Sequence, residues 1–152
     1  MFRGHCERNL DPKGRLMLPP EFREEVLKTS PEGKLMLTRF LDGCVVGYPM
    51  PEWERIEESF NGINTLNTTL RNLQRFMISS AEQVTLDKQG RILVPPYLRA
   101  QASLDKDCIL AGVGMKFELW DKDTFESRRR AAEETFDADM AQLAASGFEL
   151  RF

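Results

Sequence analysis

Residues 10–26 read LDPKGRLMLPPEFREEV, and residues 86–102 read LDKQGRILVPPYLRAQA. Seven of these 17 aligned positions are identical without a gap, and five of the other ten exchange one apolar residue for another. A weaker match continues beyond each segment, with Tyr48–Glu54 facing Trp120–Glu126. Such repetition indicates two copies of one small unit. Because each copy is too short for a secure core of its own, the halves are expected to fold into each other or onto neighbouring subunits.

Each repeat begins with a predicted tight turn. Asp11 can accept hydrogen bonds from the turn backbone, Pro12 presets φ for a type I turn, and Gly14 supplies the left-handed residue that closes it. With strands predicted at Glu7–Leu10 and Arg15–Leu18, the segment is expected to form a β-hairpin. The matching elements of the second repeat are the turn at Asp87 and Gly90 and the strands at Gln83–Leu86 and Arg91–Val94.

The paired prolines at positions 19–20 and 95–96 end these strands, because proline has no N–H for a ladder, and proline suits the first turn of a helix. Short helices are predicted at Glu21–Leu27 and Tyr97–Ala102. Further strands are predicted at Lys34–Thr38, Cys44–Tyr48, Cys108–Gly112 and Lys116–Trp120. Apolar spacing predicts helices from Trp53 to Met77, broken at Asn61-Gly62, and one amphipathic helix from Phe125 to Leu143 with an Asp123/Glu126 capping box.

The charge distribution is polarised, although the net charge is only −3. Residues 1–15 carry four basic and two acidic side chains, whereas residues 118–152 carry nine acidic and five basic ones. An acidic protein can still bind nucleic acid if its basic residues share one face. With 41% hydrophobic and 30% charged residues, no apolar run near 20 residues and no apolar N-terminal segment, a globular cytoplasmic protein without membrane contact is expected.

Residue types that enzymes and metal sites require are sparse. The three cysteines are far apart and are expected to be small buried thiols, and the presence of only one histidine, His5, argues against a histidine-based metal site or a catalytic triad. Asp121 and Asp123 lack the glycine and the final acid of a calcium loop, so a helix start is the better interpretation. No nucleophile elbow or phosphate-binding loop is present, so the chain is predicted not to be an enzyme.

The repeated Asp-x-x-x-Arg motif, at Asp11/Arg15 and Asp87/Arg91, precedes an apolar strand and prolines in both halves. Together with the opening Met-Phe-Arg-Gly, the Tyr-Pro-Met-Pro-Glu-Trp stretch from Tyr48 and the Phe-Glu-Leu-Trp-Asp stretch from Phe117, it makes nearly the whole chain resemble the MraZ family.

The resemblance implies an α+β fold of two tandem AbrB/SpoVT-like swapped-hairpin motifs, forming a pseudo-dimeric β-barrel with helices after each repeat. It also implies a ring-shaped homo-oligomer in the cytoplasm, associated with the nucleoid. The expected partner is double-stranded DNA carrying short G-rich direct repeats upstream of the division and cell-wall gene cluster and of the protein's own gene. No cofactor, metal or small-molecule ligand is expected.

In the family the Asp-x-x-x-Arg motif faces DNA, which here transfers to Asp11, Arg15, Asp87 and Arg91. An arginine one residue beyond a turn glycine can direct two donors at the O6 and N7 of guanine. The alternative is that aspartate and arginine simply pair and fix the turn. Further candidate DNA-binding residues are Lys13, Arg3 and Arg8, of which Lys13 and Arg3 are placed for phosphate, and Gln89 replaces Lys13 in the second copy, which therefore carries less charge.

The predicted domains are a first module at residues 5–52, a helical connector at 53–79, a second module at 80–124 and a C-terminal helix and tail at 125–152. The predicted function is sequence-specific regulation of transcription, with several ring subunits engaging repeated DNA boxes at once. The alternative is a ring-forming interaction or scaffold protein that does not read DNA. RNA binding is less favoured, because no exposed aromatic platform is evident.

Overall fold

The structure is a computed structural model that describes residues 1–63, 66–149 and 151. The chain divides into two compact units, residues 1–121 and residues 122–152. Positions 64 and 65 of the predicted connector, and positions 150 and 152 of the predicted tail, lie outside the described residues. No described helix combines the length and the apolar character needed to cross a membrane.

The first unit mixes strands with short helices, and the second is built on one helix. In chain order the elements are β1 (His5–Asn9), β2 (Arg15–Met17), α1 (Pro20–Thr29), β3 (Lys34–Arg39), β4 (Val45–Pro49), α2 (Met50–Asn61), α3 (Thr68–Met77), β5 (Glu82–Thr85), β6 (Arg91–Leu93), α4 (Pro96–Gln101), β7 (Asp107–Gly112), β8 (Phe117–Asp121) and α5 (Lys122–Ala145). Each predicted element is present, with most ends shifted by three residues or fewer, but the helix expected after Asn61-Gly62 begins only at Thr68.

The strands on the two sides of each turn do not form a ladder with each other. β1 pairs antiparallel with β7 and β2 with β6, while β5 of the second repeat pairs with β3 of the first. The hairpin predicted at the start of each repeat is therefore wrong as a two-stranded unit, because its strands leave the turn into different sheets. The second hairpin of each repeat, β3 with β4 and β7 with β8, is confirmed.

The pairing makes the two repeats equivalent. The larger sheet has the order β1-β7-β8-β4-β3-β5, and exchanging each strand with its repeat counterpart reproduces the same order reversed. β2 and β6, also counterparts, form a separate two-stranded sheet, called the ribbon below. The α+β class and the swapping of strands between tandem repeats are thus confirmed. These sheets are consistent with the predicted barrel, although the pairings among the described strands do not join into one closed ladder.

The ribbon covers a shared hydrophobic core. Leu16 and Ile92 face each other across the ribbon, and neither has any exposed surface. Beneath them Phe2, Phe22 and Phe117 pack with ring centroids 5.2 to 5.8 Å apart. Burying one such leucine or phenylalanine contributes about 1.5–3 kcal/mol. The inner face of the ribbon is therefore fixed, and its outer face is held in one orientation.

The helix boundaries follow the predicted signals in the first unit but not in the second. Proline occupies the first helical position of α1 and α4, and α2 ends at Asn61, directly before Gly62. α5 begins at Lys122, immediately after β8, so Asp123 lies inside its first turn and the predicted capping box is wrong. None of the described residues of α5 is buried.

Candidate nucleic-acid interface

The first turn is closed by hydrogen bonds from its own backbone and from Asp11. The N–H of Gly14 donates to the carbonyl of Asp11 at 2.9 Å, and the N–H of Asp11 donates to the carbonyl of Arg15 at 3.0 Å. Oδ1 of Asp11 accepts from the N–H groups of Lys13 and Arg15, each at 2.9 Å. Gly14 has φ +85°, a left-handed conformation that favours glycine. The predicted turn is confirmed in detail.

The second turn repeats this geometry. The N–H of Gly90 donates to the carbonyl of Asp87 at 3.0 Å, and Oδ1 of Asp87 accepts from the N–H groups of Gln89 and Arg91, each at 2.9 Å. Gly90 has φ +78°. Because each aspartate saturates the backbone donors of its turn, the following arginine leaves the turn at a defined angle.

The same aspartates hold the arginine side chains. Nε of Arg15 donates to Oδ2 of Asp11 at 2.5 Å, and Nε of Arg91 donates to Oδ2 of Asp87 at 2.8 Å. The pKa of each aspartate lies below its ordinary value of 3.8, chiefly because of the hydrogen bond from the backbone N–H of the arginine. Desolvation opposes this lowering of the pKa, and the guanidinium adds to it. The aspartate–arginine pairing that the sequence offered as an alternative role is therefore present. Each arginine contributes only its Nε atom to this pairing.

The terminal nitrogens of the two arginines differ in their surroundings. Nη2 of Arg91 donates to Oε1 of Gln89 at 2.6 Å. Lys13 occupies the corresponding place in the first turn, and its side chain has no acceptor atom. Within the described chain no residue accepts from the terminal nitrogens of Arg15. The terminal guanidinium nitrogens of Arg15 are therefore more available for a ligand than those of Arg91.

The ribbon brings the two arginines onto one face. Arg15 lies opposite Leu93, and Met17 lies opposite Arg91. Since alternate residues of a strand point to opposite sides, these four side chains share the outer face, while Leu16 and Ile92 point into the core. The sequence predicted Arg15 and Arg91 separately, and the structure joins them in a single surface.

Each turn is also held by an arginine from the other repeat, a role the sequence did not reveal. The side chain of Arg99 lies over Gly14, and that of Arg23 lies over Gly90. The carbonyl of Gly14 accepts from the N–H of Val94 at 2.9 Å, and Nε of Arg99 donates to the carbonyl of Val94 at 3.0 Å. Arg23 and Arg99 are identical in the aligned repeats, which was the available signal.

The other candidate basic residues are distributed unevenly. Lys13, in the first turn, is exposed beside Arg15, and Arg3 is exposed ahead of β1. Arg8 lies on β1, on the half-buried side that also carries Cys6, and its buried Nε has no hydrogen-bond partner among the described residues. The structure therefore groups Lys13 with the ribbon arginines and places Arg3 and Arg8 off the ribbon.

Comparison with known proteins adds independent evidence. A family model described as "MraZ protein, putative antitoxin-like" matches the chain twice, at residues 1–76 and 77–145. A protein of Solidesulfovibrio magneticus is 59% identical over 152 residues, covering 100% of both chains, and one of Maridesulfovibrio salexigens is 48% identical over 151 residues, covering 99% of both. One of Pediococcus pentosaceus is 40% identical over 142 residues, covering 93% of this chain and 95% of its own.

All three relatives are named transcriptional regulator MraZ. That name agrees with the prediction, from the sequence, of a regulator of transcription rather than an enzyme. The duplicated match agrees with the duplicated turn, and the similarity to the first two relatives extends over nearly the whole length of this chain. The chain belongs to the MraZ family.

Proposed function

We propose that this protein regulates transcription by binding double-stranded DNA through the outer face of the ribbon. The observation that carries this proposal is that strand pairing places Arg15 and Arg91, from different repeats, on one face of a two-stranded sheet. The major groove of DNA, about 12 Å wide, admits such a ribbon. The regulator name of the relatives supports the same conclusion.

The residues have distinct proposed roles. Arg15 and Arg91 read guanine through O6 and N7, while Asp11 and Asp87 orient the guanidinium groups by holding Nε. Gly14 and Gly90 form the turns. Lys13 and Arg3 neutralise phosphates, which positions the protein without reading sequence. Arg8, with its half-buried side chain, adds positive charge near the N-terminal end rather than base contacts.

The proposed DNA-binding modules are residues 5–52 and 80–124, joined by the connector 53–79 and followed by the helix and tail 125–152. Several chains form a ring, and the ring engages direct repeats upstream of the division and cell-wall gene cluster and of its own gene. The protein acts in the cytoplasm on the nucleoid. A ring presents many ribbons, so neighbouring boxes bind at a high effective concentration.

Footprinting and gel shifts on DNA upstream of its own gene test the readout. Arg15→Ala is expected to weaken binding by roughly 5- to 150-fold, the equivalent of about 1–3 kcal/mol for one bidentate base contact. Arg55→Ala is the matched control, because it removes the same charge from an exposed site on α2. Equal affinity of the wild-type protein and Arg15→Ala would overturn the proposed readout.

The assembly is tested separately with one box against tandem boxes, together with the native mass of the protein. Tandem boxes are expected to bind much more tightly, and the affinity should fall steeply with salt as counterions are released. A ring that binds no DNA would instead establish the scaffold alternative.

A further inference from the structure

Two exposed apolar side chains lie between the arginines of the ribbon. Met17 is 40% exposed and Leu93 is 50% exposed, and they occupy the same position in the two aligned repeats. The solvated face of an antiparallel sheet normally carries polar residues. In this ribbon the only described outward side chains besides these two are Arg15 and Arg91. The apolar pair therefore belongs to the same surface as the proposed DNA-reading arginines.

The register fixes which side chains are neighbours. Leu93 lies directly opposite Arg15, and Met17 lies directly opposite Arg91. Cross-strand partners have Cβ atoms about 4.5–5.5 Å apart, so each apolar side chain starts next to one arginine side chain. Because Leu16 and Ile92 are fully buried on the other side, the ribbon cannot turn this face away without opening the core. The outer face therefore presents two guanidinium groups and two apolar side chains in a fixed arrangement.

The major groove offers one matching pair of chemical groups. Guanine presents the O6 and N7 acceptors, and thymine presents a C5-methyl group, the only apolar group on that edge of the base pairs. The two turns and the ribbon together carry four basic side chains against two aspartates, and this net positive charge favours a polyanion over an apolar protein surface. A face that alternates arginine with an apolar residue therefore complements a groove that alternates guanine with thymine.

We propose that Met17 and Leu93 contact thymine C5-methyl groups in the major groove and select thymine next to the guanines read by Arg91 and Arg15. This inference rests on the proposed function and adds a second, apolar component to its specificity. Neither residue donates a hydrogen bond, so their contribution is to exclude bases that lack the methyl group. Removing a methyl group from such a contact weakens binding about fourfold.

Deoxyuridine provides the test, because it lacks only the C5-methyl group and keeps the O4 acceptor and the pairing edge. The DNA upstream of the gene is made with dTTP or with dUTP, and the wild-type protein and the double variant Met17→Ala/Leu93→Ala are titrated on both fragments. The wild-type protein is expected to prefer the thymine fragment at least fourfold, and the double variant is expected to bind both fragments equally. Leu41→Ala, which truncates a leucine outside the ribbon that is 72% exposed, should keep the wild-type preference.

Two results would overturn the inference: equal binding of both fragments by the wild-type protein, or an unchanged preference in the double variant. Thermal unfolding of each variant confirms that the fold is retained, as expected for exposed side chains. Arg15→Ala separates this inference from the proposed function. If Arg15→Ala loses binding while the wild-type protein ignores the methyl group, only the inference fails. If Arg15→Ala binds like the wild-type protein, the proposed arginine readout fails as well.

Discussion

The guanidinium of Arg99, in the second repeat, lies directly over Gly14, in the turn of the first repeat. A Cβ atom added to Gly14 would be 2.5 Å from Cζ and 2.6 Å from Nε of Arg99. Arg99 is held there because its Nε donates to the carbonyl of Val94 at 3.0 Å. The turn that presents Arg15 is thus packed against the other half of the chain, which couples the two repeats where DNA is proposed to bind.

This contact predicts that Gly14→Ala destabilises the protein more than Gly43→Ala does. Both glycines have nearly the same positive φ, so both substitutions carry the left-handed penalty of about 1–2 kcal/mol. Only Gly14 has a side chain above it, because nothing lies within 4 Å of a Cβ built on Gly43. Displacing Arg99 breaks one hydrogen bond, which adds about 1 kcal/mol to the loss in the free energy of unfolding. Urea denaturation measures both variants.

The background Arg99→Ala is the control for this comparison. With the arginine truncated, Gly14→Ala and Gly43→Ala should cost the same, since only the backbone penalty remains. If the difference between the two glycines persists in that background, the contact with Arg99 is not its cause.

The hydrogen bond from Arg91 to Gln89 makes the two turns unequal, and we expect that exchanging the residue types of Gln89 and Lys13 reverses the difference. Its Oε1 accepts from Nη2 of Arg91 at 2.6 Å, whereas Lys13 leaves the end of Arg15 available. Gln89→Lys should release Arg91 and add a phosphate contact, which strengthens DNA binding and steepens the salt dependence of the affinity by about one unit. Lys13→Gln should do the opposite.

Gln101→Lys serves as the charge-matched control, because Gln101 is exposed on α4 and outside both turns. It should leave the salt dependence near the wild-type value. An equal effect of Gln89→Lys and Gln101→Lys would mean that the overall charge of the protein sets its affinity for DNA, and that the hydrogen bond between Gln89 and Arg91 does not.

The carboxylate of Asp11 predicts an acid-dependent loss of stability. The N–H of Arg15, its guanidinium and the N–H of Lys13 hold the pKa of Asp11 below its ordinary value of 3.8. A group with a lowered pKa stabilises the folded state fully above the ordinary pKa, and the stabilisation is lost as the pH falls through the lowered value. The Asp11→Asn variant should therefore be less stable than the wild-type protein at pH 7, and the two should converge well below pH 3.8. Denaturant midpoints across this range measure the difference, and a constant gap down to strong acid would contradict the assignment.

The local chemistry of the turns was visible in the sequence, whereas their partners were not. The hydrogen bonds that close the turn join Asp11 to residues two to four positions away, so the turn could be predicted without tertiary information. The pairing of β1 with β7 joins His5 to Ala111, and no local pattern encodes a contact at that separation. Strand propensity therefore favoured the nearest partner, a simple hairpin, and the swapped arrangement entered only through family resemblance.

The composition of the outer face of the ribbon could not be predicted from the sequence either. β2 and β6 have three residues each, too few for alternation to show which side chains are buried. The sequence predicts only that Met17 and Leu93 lie in strands, whereas the structure shows that both are exposed and that each lies opposite an arginine. The shared role of Arg23 and Arg99 could have been inferred from the sequence. They are the same charged residue at one aligned position of two otherwise diverged repeats, which indicates a common structural role.

The buried thiols yield the last prediction, on chemical reactivity. Desolvation by burial raises the pKa of Cys44 to about 12 and that of Cys108 to about 11, whereas Cys6 is half-buried. Because the thiolate is the reactive form, iodoacetamide at pH 8 should label Cys6 well before the other two, which should react only on unfolding. Since the folded state favours the neutral thiols, their contribution to stability should be complete below pH 9.0, the ordinary value, and decline as the pH rises above it. Mass spectrometry of timed samples resolves the three sites. Rapid labelling of Cys44 under native conditions would show that the core around β4 opens far more easily than its packing implies.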